Sequence, residues 1–275
     1  MRVHHLNCAT LCPVGGRLLS GEGGWLSGAR LVCHSLLVER PNGLLLVDAG
    51  LGTHDLSRPL RRLGVGFLGM TRPRLDAAEP AVRQIERLGF SPRDVRDIIV
   101  THLDPDHAGG IADFPHARIH VHAPELEAAL HPRTPYEHAR YRPSQWAHRP
   151  SWVRHTAGGD RWLGFASVRA VDERAPEVLI VPLAGHTRGH AGVAVRSDLD
   201  GKWLLHAGDA YFFHAELHDP PSCPPGLLAL QRFDDFDHDE RVANQWRLRA
   251  LARDCASEVT VFCAHDAREL ERCRA

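Results

Sequence analysis

A dense group of potential metal ligands lies near the middle of the sequence. Residues 101–110 hold two histidines and two aspartates within six positions, namely His102, Asp104, Asp106 and His107. The apolar residues 98–100 before them are typical of a short buried strand, and a Gly-Gly pair behind them allows a tight turn. Burying several imidazole and carboxylate groups without a cation would be costly. The spacing therefore predicts a metal site, and we expect a catalytic one.

Three later segments also lead to a histidine or an aspartate. Each begins as an apolar run that predicts a buried strand, and each ligand stands close to a Gly or Ala that leaves room for a metal and a substrate. The runs are residues 178–183, which lead to His186 and His190, residues 203–205, which lead to Asp209, and residues 259–263, which lead to His265. The chain has 20 histidines, so any single one has an ordinary structural explanation. Their recurrence at strand ends predicts one common site.

The segments before the first ligand run predict the elements that position it. Residues 31–39 and 44–48 flank a Pro-Asn-Gly turn and predict a β-hairpin that ends at Asp48. Asp76 and Glu79 have the spacing of a capping box, which predicts a helix from there to Gly89. A helix, a strand and a ligand loop in this order place ligands at the carboxyl end of a strand.

Composition limits the class of protein. The chain has 275 residues, 43% of them apolar, and a formal net charge of -1. Such a chain can bury a large core, so we expect one domain over residues 1–275. The near-neutral charge predicts no nucleic-acid partner, and the absence of a signal peptide or a long apolar span predicts no membrane partner. Seven cysteines without paired spacing favour reduced thiols and a cytoplasmic enzyme.

Residues 131–162 interrupt the regular pattern with Pro, His, Arg and aromatic residues. Three of the six tryptophans and two of the three tyrosines lie in this segment. The composition favours a lid insertion over an apolar pocket. The alternative is a segment that packs on its own aromatic side chains and contacts no ligand, and composition leaves both open.

Taken together, these motifs resemble those of the metallo-β-lactamase superfamily. That family's order is an aspartate after a hairpin (Asp48), an H-x-H-x-D-H-type segment (102–107), a G-H-T-x-G-H segment (185–190), a Gly-Asp after a strand (Asp209) and a strand-terminal histidine (His265). The resemblance covers most of the chain. It implies an α/β fold, an αββα four-layer sandwich of two mixed β-sheets with helices on the outer faces, and a binuclear metal centre. The motif order is most similar to that of acyl-homoserine lactonases and glyoxalase II.

The resemblance also implies a role for each ligand. The first metal would be held by His102, residue 104 and His186, the second by Asp106, His107 and His265, with Asp209 as a bridge and with Asp48 and His190 as outer groups that orient the ligands. The family's motif usually has a histidine where this chain has Asp104. We expect two divalent ions, with zinc favoured. An anionic oxygen at position 104 strengthens manganese and iron as competitors, and it leaves open whether Asp104 binds metal at all.

Such a centre predicts a hydrolase. Two divalent ions a few ångströms apart supply a bridging hydroxide near neutral pH and polarise a carbonyl group, which suits the opening of a lactone or a carboxylic ester. Asp106 is the expected proton shuttle. Tyr211 is predicted to donate a hydrogen bond to the developing oxyanion, unless it is a buried tyrosine that satisfies a backbone carbonyl. The expected partner is a small lactone, ester or thioester, and the sequence identifies neither that molecule nor the oligomeric state.

Two other functions remain open on the same fold. A glyoxalase II-like thioesterase would use the same centre, although the sequence shows no clear basic pocket for a glutathione carboxylate. A non-haem iron oxidoreductase of the persulfide-dioxygenase type would bind one redox-active iron, which suits carboxylate and imidazole ligands such as Asp104. The complete second set of ligands favours two metals and hydrolysis.

Overall fold

The structure is a computed structural model that describes residues 1–156, 158, 161–165, 169–172, 175–198 and 200–275. The strands within these residues are β1 Val3–Leu11, β2 Leu31–Arg40, β3 Gly43–Val47, β4 Val95–Ile99, β5 Arg118–His122, β6 Ser151–His155, β7 Arg169–Asp172, β8 Ala175–Pro182, β9 Ala191–Arg196, β10 Trp203–His206 and β11 Val259–Phe262. The α-helices are α1 Gly16–Ser20, α2 Thr53–Ser57, α3 Pro59–Arg62, α4 Gly64–Thr71, α5 Ala81–Arg87, α6 Pro105–Ala108, α7 Ala123–Leu130, α8 Pro135–Arg140, α9 Pro225–Asp234, α10 His238–Asp254 and α11 Ala267–Arg274. Short 3-10 helices lie at Pro92–Asp94, Gly109–Asp113, Pro143–Trp146 and His214–Leu217.

The strands form two mixed sheets. The first has the order β1-β2-β3-β4-β5-β6, in which β1 to β3 are antiparallel neighbours and β3 to β6 are parallel. The second has the order β11-β10-β9-β8-β7, in which β10 and β11 are parallel and the other neighbours antiparallel. Strands β8, β10 and β11 therefore run in one direction, and their carboxyl ends share an edge. A hydrogen bond from Ala191 N to Thr101 O (3.0 Å) joins the two sheets beside that edge.

Apolar clusters hold the layers together. Ile99 of the first sheet and Phe262 of the second belong to one cluster between the sheets. On the outer face of the first sheet, Ile98 clusters with side chains of α5 and α7. On the outer face of the second sheet, Leu205 clusters with side chains of α10. Helices on both outer faces complete the αββα sandwich, so the expected fold class is confirmed.

The predicted elements before the ligand run are partly right. The hairpin forms as expected, with β2 and β3 paired in antiparallel register up to Arg40 and Gly43. The predicted helix start at Asp76 is wrong, because α5 begins at Ala81 after Pro80. A proline disfavours helical backbone in the residue before it, which keeps Glu79 out of the helix. The Glu79 carboxylate instead accepts a hydrogen bond from Thr10 Oγ1 at 2.6 Å.

Residues 131–162 contain more regular structure than their composition predicted. Strand β6 pairs with β5 at the edge of the first sheet, and α8 lies before it in the chain. Trp146 and Trp152 pack edge to face, with ring centroids 6.5 Å apart, against the core of the first sheet. The part of the segment around Trp146 and Trp152 therefore packs on its own aromatic side chains. Helix α8 takes no part in this aromatic contact.

Two expectations from composition concern thiols and membranes. All seven cysteines have free thiols, as expected of reduced cysteines. Across the described ranges, no helix is both long enough and apolar enough to cross a bilayer.

A buried carboxylate ties together the parallel strands that carry the ligand run. Asp97 of β4 accepts hydrogen bonds from Arg118 Nε at 2.8 Å and from His120 Nε2 at 2.9 Å, and it also pairs with Arg40. Burial opposes the charge of Asp97, but His120, Arg118 and Arg40 together hold the pKa of this carboxyl well below its ordinary value. The cluster links β2, β4 and β5.

We expect Asp97→Asn to destabilise the protein by roughly 3 kcal/mol at neutral pH, the lower end of the cost of breaking a buried ion pair. Because the folded-state pKa is depressed, this stabilisation is present above the unfolded pKa of about 3.9 and is lost as the pH falls below it. Urea unfolding from pH 7 down to pH 3 should therefore show the difference from wild type shrinking with acidity. The exposed neighbour Asp94→Asn is the control, and a difference that is constant with pH would contradict the assigned ion pairs.

Candidate metal centre

The first ligand run begins just after β4 and turns into a one-turn helix. Asp104 precedes α6, and Pro105 takes the first position of that helix, where the missing amide hydrogen of proline costs no intrahelical bond. Asp106 and His107 follow on the helix itself. These side chains and His102 are all buried, with Asp104 the most exposed at 8%.

The second sheet supplies three more predicted ligands from the carboxyl ends of three strands. His186 follows β8, Asp209 follows β10 and His265 follows β11, and each is at most 3% exposed. Gly208 brings Asp209 to the site with a φ of 54°, a conformation that favours glycine. A Cβ atom at Gly208 would lie 2.5 Å from His190 Nε2, so no side chain fits there.

Four predicted ligands surround one point. In this first ligand group, Asp104 Oδ2 lies 3.3 Å from His102 Nε2 and 3.4 Å from His186 Nε2. Asp209 Oδ2 lies 3.4 Å from His186 Nε2 and 3.9 Å from His102 Nε2.

A second ligand group lies on the other side of the Asp209 carboxylate. His265 Nε2 is 3.1 Å from Asp209 Oδ2 and 3.6 Å from Asp106 Oδ2. His107 Nε2 is 3.3 Å from Asp209 Oδ1 and 3.8 Å from Asp106 Oδ2. The structure thus brings all seven predicted ligands together, with Asp209 between the two groups.

The donor set fits divalent metal ions. For metal–ligand bonds of about 2.0–2.2 Å, tetrahedral ligands stand roughly 3.3–3.6 Å apart, which is close to the separations found here. His102 Nε2, His107 Nε2 and Asp209 Oδ1 are buried and have no hydrogen-bond partner among the described residues. Buried nitrogen and oxygen atoms without partners are costly, and a cation would satisfy all three.

Hydrogen bonds to residues outside the two ligand groups fix which ring nitrogen of His107 and of His265 faces those groups. His107 Nδ1 donates to Asp48 Oδ2 at 2.8 Å, and His265 Nδ1 donates to the carbonyl of Val32 at 2.7 Å. Because an ionised carboxylate and a carbonyl only accept, Nδ1 carries a proton in both rings, and Nε2 is the nitrogen that faces the ligand groups and could bind a metal. Asp48 also accepts from the backbone and hydroxyl of Thr101, at 2.7 and 2.8 Å.

His190 lies beside the ligands, where the outer-group expectation placed it. Its Nε2 accepts from Asp209 N at 2.9 Å, and its Nδ1 donates to the carbonyl of Leu183 at 2.9 Å. Burial, first, and the neighbouring His102 and His186 lower the pKa of His190 well below its ordinary value. The neutral ring therefore fixes the backbone of Asp209 and adds no charge to the site.

The carboxylates of the site differ in acidity. Burial opposes ionisation of Asp209, but His265 and His107 hold its pKa well below the ordinary value. At Asp106, burial and the carboxylates of Asp209 and Asp104 raise the pKa despite the opposing effect of His107 and His265. Of the two carboxyl groups in residues 101–110, Asp106 therefore takes up a proton more readily than Asp104.

Asp104 has a partner that the sequence did not reveal. Arg140, the last residue of α8, donates from Nε to Asp104 Oδ1 at 2.6 Å and from Nη2 to Asp104 Oδ2 at 2.5 Å. Nothing in the spacing links residues 104 and 140, because the contact depends on how α8 folds over the ligand edge. Cys33 is a second residue that the sequence did not reveal, and its Sγ lies within 4.8 Å of ligand atoms of Asp106 and His265.

The predicted role of Tyr211 as an oxyanion donor is wrong. Its side chain is fully buried on the helix side of the second sheet, and its hydroxyl donates to the Glu269 carboxylate at 3.1 Å. The next residue, Phe212, faces the site instead. Both residues lie in the loop after β10, where no strand or helix periodicity predicts which of two neighbouring side chains faces the ligands.

A cavity of about 550 Å³ opens onto Asp104, Asp106, Asp209 and His265. Its remaining wall is mostly apolar and comes from the β1 end, α4, α8 and α9, with Leu11, Leu63, Phe67, Met70, Phe212, Leu230 and Phe233 among the lining residues. Tyr136 and Arg140 of α8 also line it, so this part of residues 131–162 does face the cavity. The contribution of α4 was not predicted, because that helix carries no motif.

Comparisons with known proteins point in one direction. Residues 28–254 match the family model described as the Metallo-beta-lactamase superfamily. A probable metallo-hydrolase of Mycobacterium tuberculosis is 42% identical over 266 residues, which cover 97% of this chain and 80% of that protein. An N-acyl homoserine lactonase of Bacillus thuringiensis is 25% identical over 238 residues, which cover 86% of this chain and 82% of that protein.

The fold has a solved counterpart. A structure of an N-acyl homoserine lactone hydrolase, with the product N-hexanoyl-L-homoserine at its catalytic metal centre, superposes with a TM-score of 0.73. The superposition covers 99% of this chain and 96% of the other at 21% sequence identity, so it supports the likeness of fold.

The contact at Gly208 gives a testable prediction. Gly208→Ala should lose more stability than the roughly 1–2 kcal/mol that a left-handed backbone costs an alanine, because the new methyl group also meets His190. Gly201→Ala is the matched control, since Gly201 has a φ of 70° but open space around its Cβ position. Urea unfolding of both variants measures the difference. Equal losses would contradict the close approach of Gly208 to His190.

Proposed function

The chain belongs to the metallo-beta-lactamase superfamily and is a metallo-hydrolase, and we propose that it opens lactones or carboxylic esters that carry an apolar chain. The observation that carries this proposal is the cavity, in which an apolar wall ends at two groups of metal ligands. A substrate bound there would place its apolar part along α4 and α9 and its carbonyl group at the ligands.

The relatives support the same class of substrate. A relative that covers 86% of the chain is named an N-acyl homoserine lactonase, and the structural counterpart holds an N-acyl homoserine product. An N-acyl lactone combines an apolar acyl chain with a hydrolysable ring ester, which are the two features that the cavity can accommodate.

We propose that the centre holds two divalent ions. His102, Asp104, His186 and Asp209 would hold the first, and Asp106, His107, His265 and Asp209 the second, with zinc favoured for a set rich in imidazole. When bound, two such ions supply a hydroxide nucleophile near neutral pH and polarise the carbonyl group. The chain's own contribution is to fix the ligands, through Asp48, Thr101 and His190.

Asp106 is proposed as the group that moves the proton. Its carboxyl lines the cavity, and burial and the other carboxylates raise its pKa. A carboxyl whose pKa is raised toward neutrality can accept a proton from the nucleophile and return it to the leaving alkoxide. Within the predicted lid at residues 131–162, α8 is proposed as the part that covers the ligand edge.

The activity is tested with N-acyl lactones, aryl esters and thioesters of matched acyl length, using protein loaded with zinc, manganese or iron. We expect hydrolysis of the lactones or esters that increases with acyl length. Asp106→Asn should lower kcat by roughly a hundredfold to ten-thousandfold, the usual range for a lost general acid or base. Asp239→Asn on the exposed face of α10 is the control and should retain wild-type turnover.

Other outcomes of this screen separate the alternatives. Turnover of thioesters alone would replace the proposal with a glyoxalase II-like thioesterase. Oxygen consumption with a thiol persulfide by the iron-loaded protein, without hydrolysis of any carboxylic substrate, would replace it with the oxidoreductase that the carboxylate of Asp104 favours.

A further inference from the structure

Arg140 places a positive charge inside the first ligand group. Its side chain is 6% exposed, and Nη2 lies 2.5 Å from both Asp104 Oδ2 and His186 Nε2. A guanidinium can only donate, so His186 Nε2 must accept this bond with its ring lone pair. The lone pairs that Arg140 occupies on Asp104 and His186 are therefore those that a metal ion in the first group would need.

The same guanidinium has a second set of partners further from the ligands. Nη1 donates to the carbonyl of Asp234 at 2.7 Å and to the hydroxyl of Tyr136 at 2.5 Å, and Nη2 is 3.5 Å from Asp234 Oδ2. Tyr136 Oη in turn donates to the Asp234 carboxylate at 2.9 Å. Asp234 is the last residue of α9, so these partners lie at the cavity wall between α8 and α9. We call Asp234 and Tyr136 the outer station of Arg140.

We propose that Arg140 competes with a metal ion for the first metal position, so that a metal can bind there only when the guanidinium leaves Asp104 and His186. With the guanidinium on Asp104 and His186, only the second ligand group is free to bind a metal. With the guanidinium withdrawn to Asp234 and Tyr136, both groups are free. This inference rests on the ligand assignment of the proposed function and adds an order of loading to it.

Charge explains why such a competitor belongs in this chain. At position 104 the family's motif usually has a neutral histidine, and Asp104 adds a negative charge to a buried group that already contains Asp209. Buried carboxylates need a nearby cation, and Arg140 supplies one when no metal does. Asp104→His alone would remove the closer of the two carboxylates that Arg140 contacts, so Asp104 and Arg140 act as a pair.

The test measures metal binding rather than turnover. Metal-free full-length protein is titrated with Zn²⁺ in competition with a chromophoric chelator, which gives an affinity for each equivalent. We expect wild type to bind one equivalent tightly and a second more weakly. Arg140→Met should tighten the second equivalent roughly ten- to a hundredfold, the range over which groups bonded to metal ligands alter affinity. Arg142→Met, which removes a neighbouring cation of the same cavity wall, should bind as wild type does.

A second variant, in which the affinity for the second equivalent should change in the opposite direction, distinguishes competition from a folding defect in Arg140→Met. Asp234→Asn weakens the outer station and should hold Arg140 on Asp104, so the second equivalent should bind more weakly than in wild type. A second equivalent that binds Arg140→Met no more tightly than wild type would overturn the competition. Failure of wild type and all variants to bind any Zn²⁺ would instead reject the ligand assignment and with it the proposed function.

Discussion

The rest of the structure depends on neutralising three buried carboxylates at one edge of the sandwich. Asp104, Asp106 and Asp209 are each less than a tenth exposed, and Asp209 shares histidine neighbours with each of the other two. Like charges this close in a poorly solvated site repel strongly, so the site needs protons, metal ions or a guanidinium among them. The surrounding hydrogen bonds turn Nε2 of His107 and His265 toward the carboxylates, so these nitrogens can carry protons or bind metal ions there.

Chemistry and substrate choice come from different parts of the fold. The predicted ligands follow the ends of strands. The apolar core between the two sheets holds these strand ends in place. The cavity wall comes mainly from α4, α8 and α9, which carry none of the predicted ligands. This division is consistent with a family whose members share a centre and differ in substrate. Arg140 connects the two parts, since it belongs to the wall and contacts the ligands.

The sequence predicted the ligand edge well because its signals are local. Each ligand follows a short apolar run, and a run of this kind becomes a strand whose carboxyl end has a definite place in the sheet. It failed where the outcome depended on packing between distant segments. The contact of Arg140 with Asp104, the Cys33 thiol beside Asp106 and the apolar wall of α4 have no local pattern. The prediction for Tyr211 failed because this residue lies in the loop after β10, where no periodic pattern indicates which side chain faces the site.

The central claim, that this edge holds metal ions between Asp209 and the histidines, is tested most directly by anomalous X-ray diffraction from crystals of the zinc-loaded protein. The account predicts one anomalous peak bonded to Asp106, His107, His265 and Asp209. At saturating Zn²⁺ it predicts a second peak bonded to His102, Asp104, His186 and Asp209, with Arg140 moved toward Asp234. Zinc bound away from Asp209, or the second peak present while Arg140 still donates to His186, would contradict it.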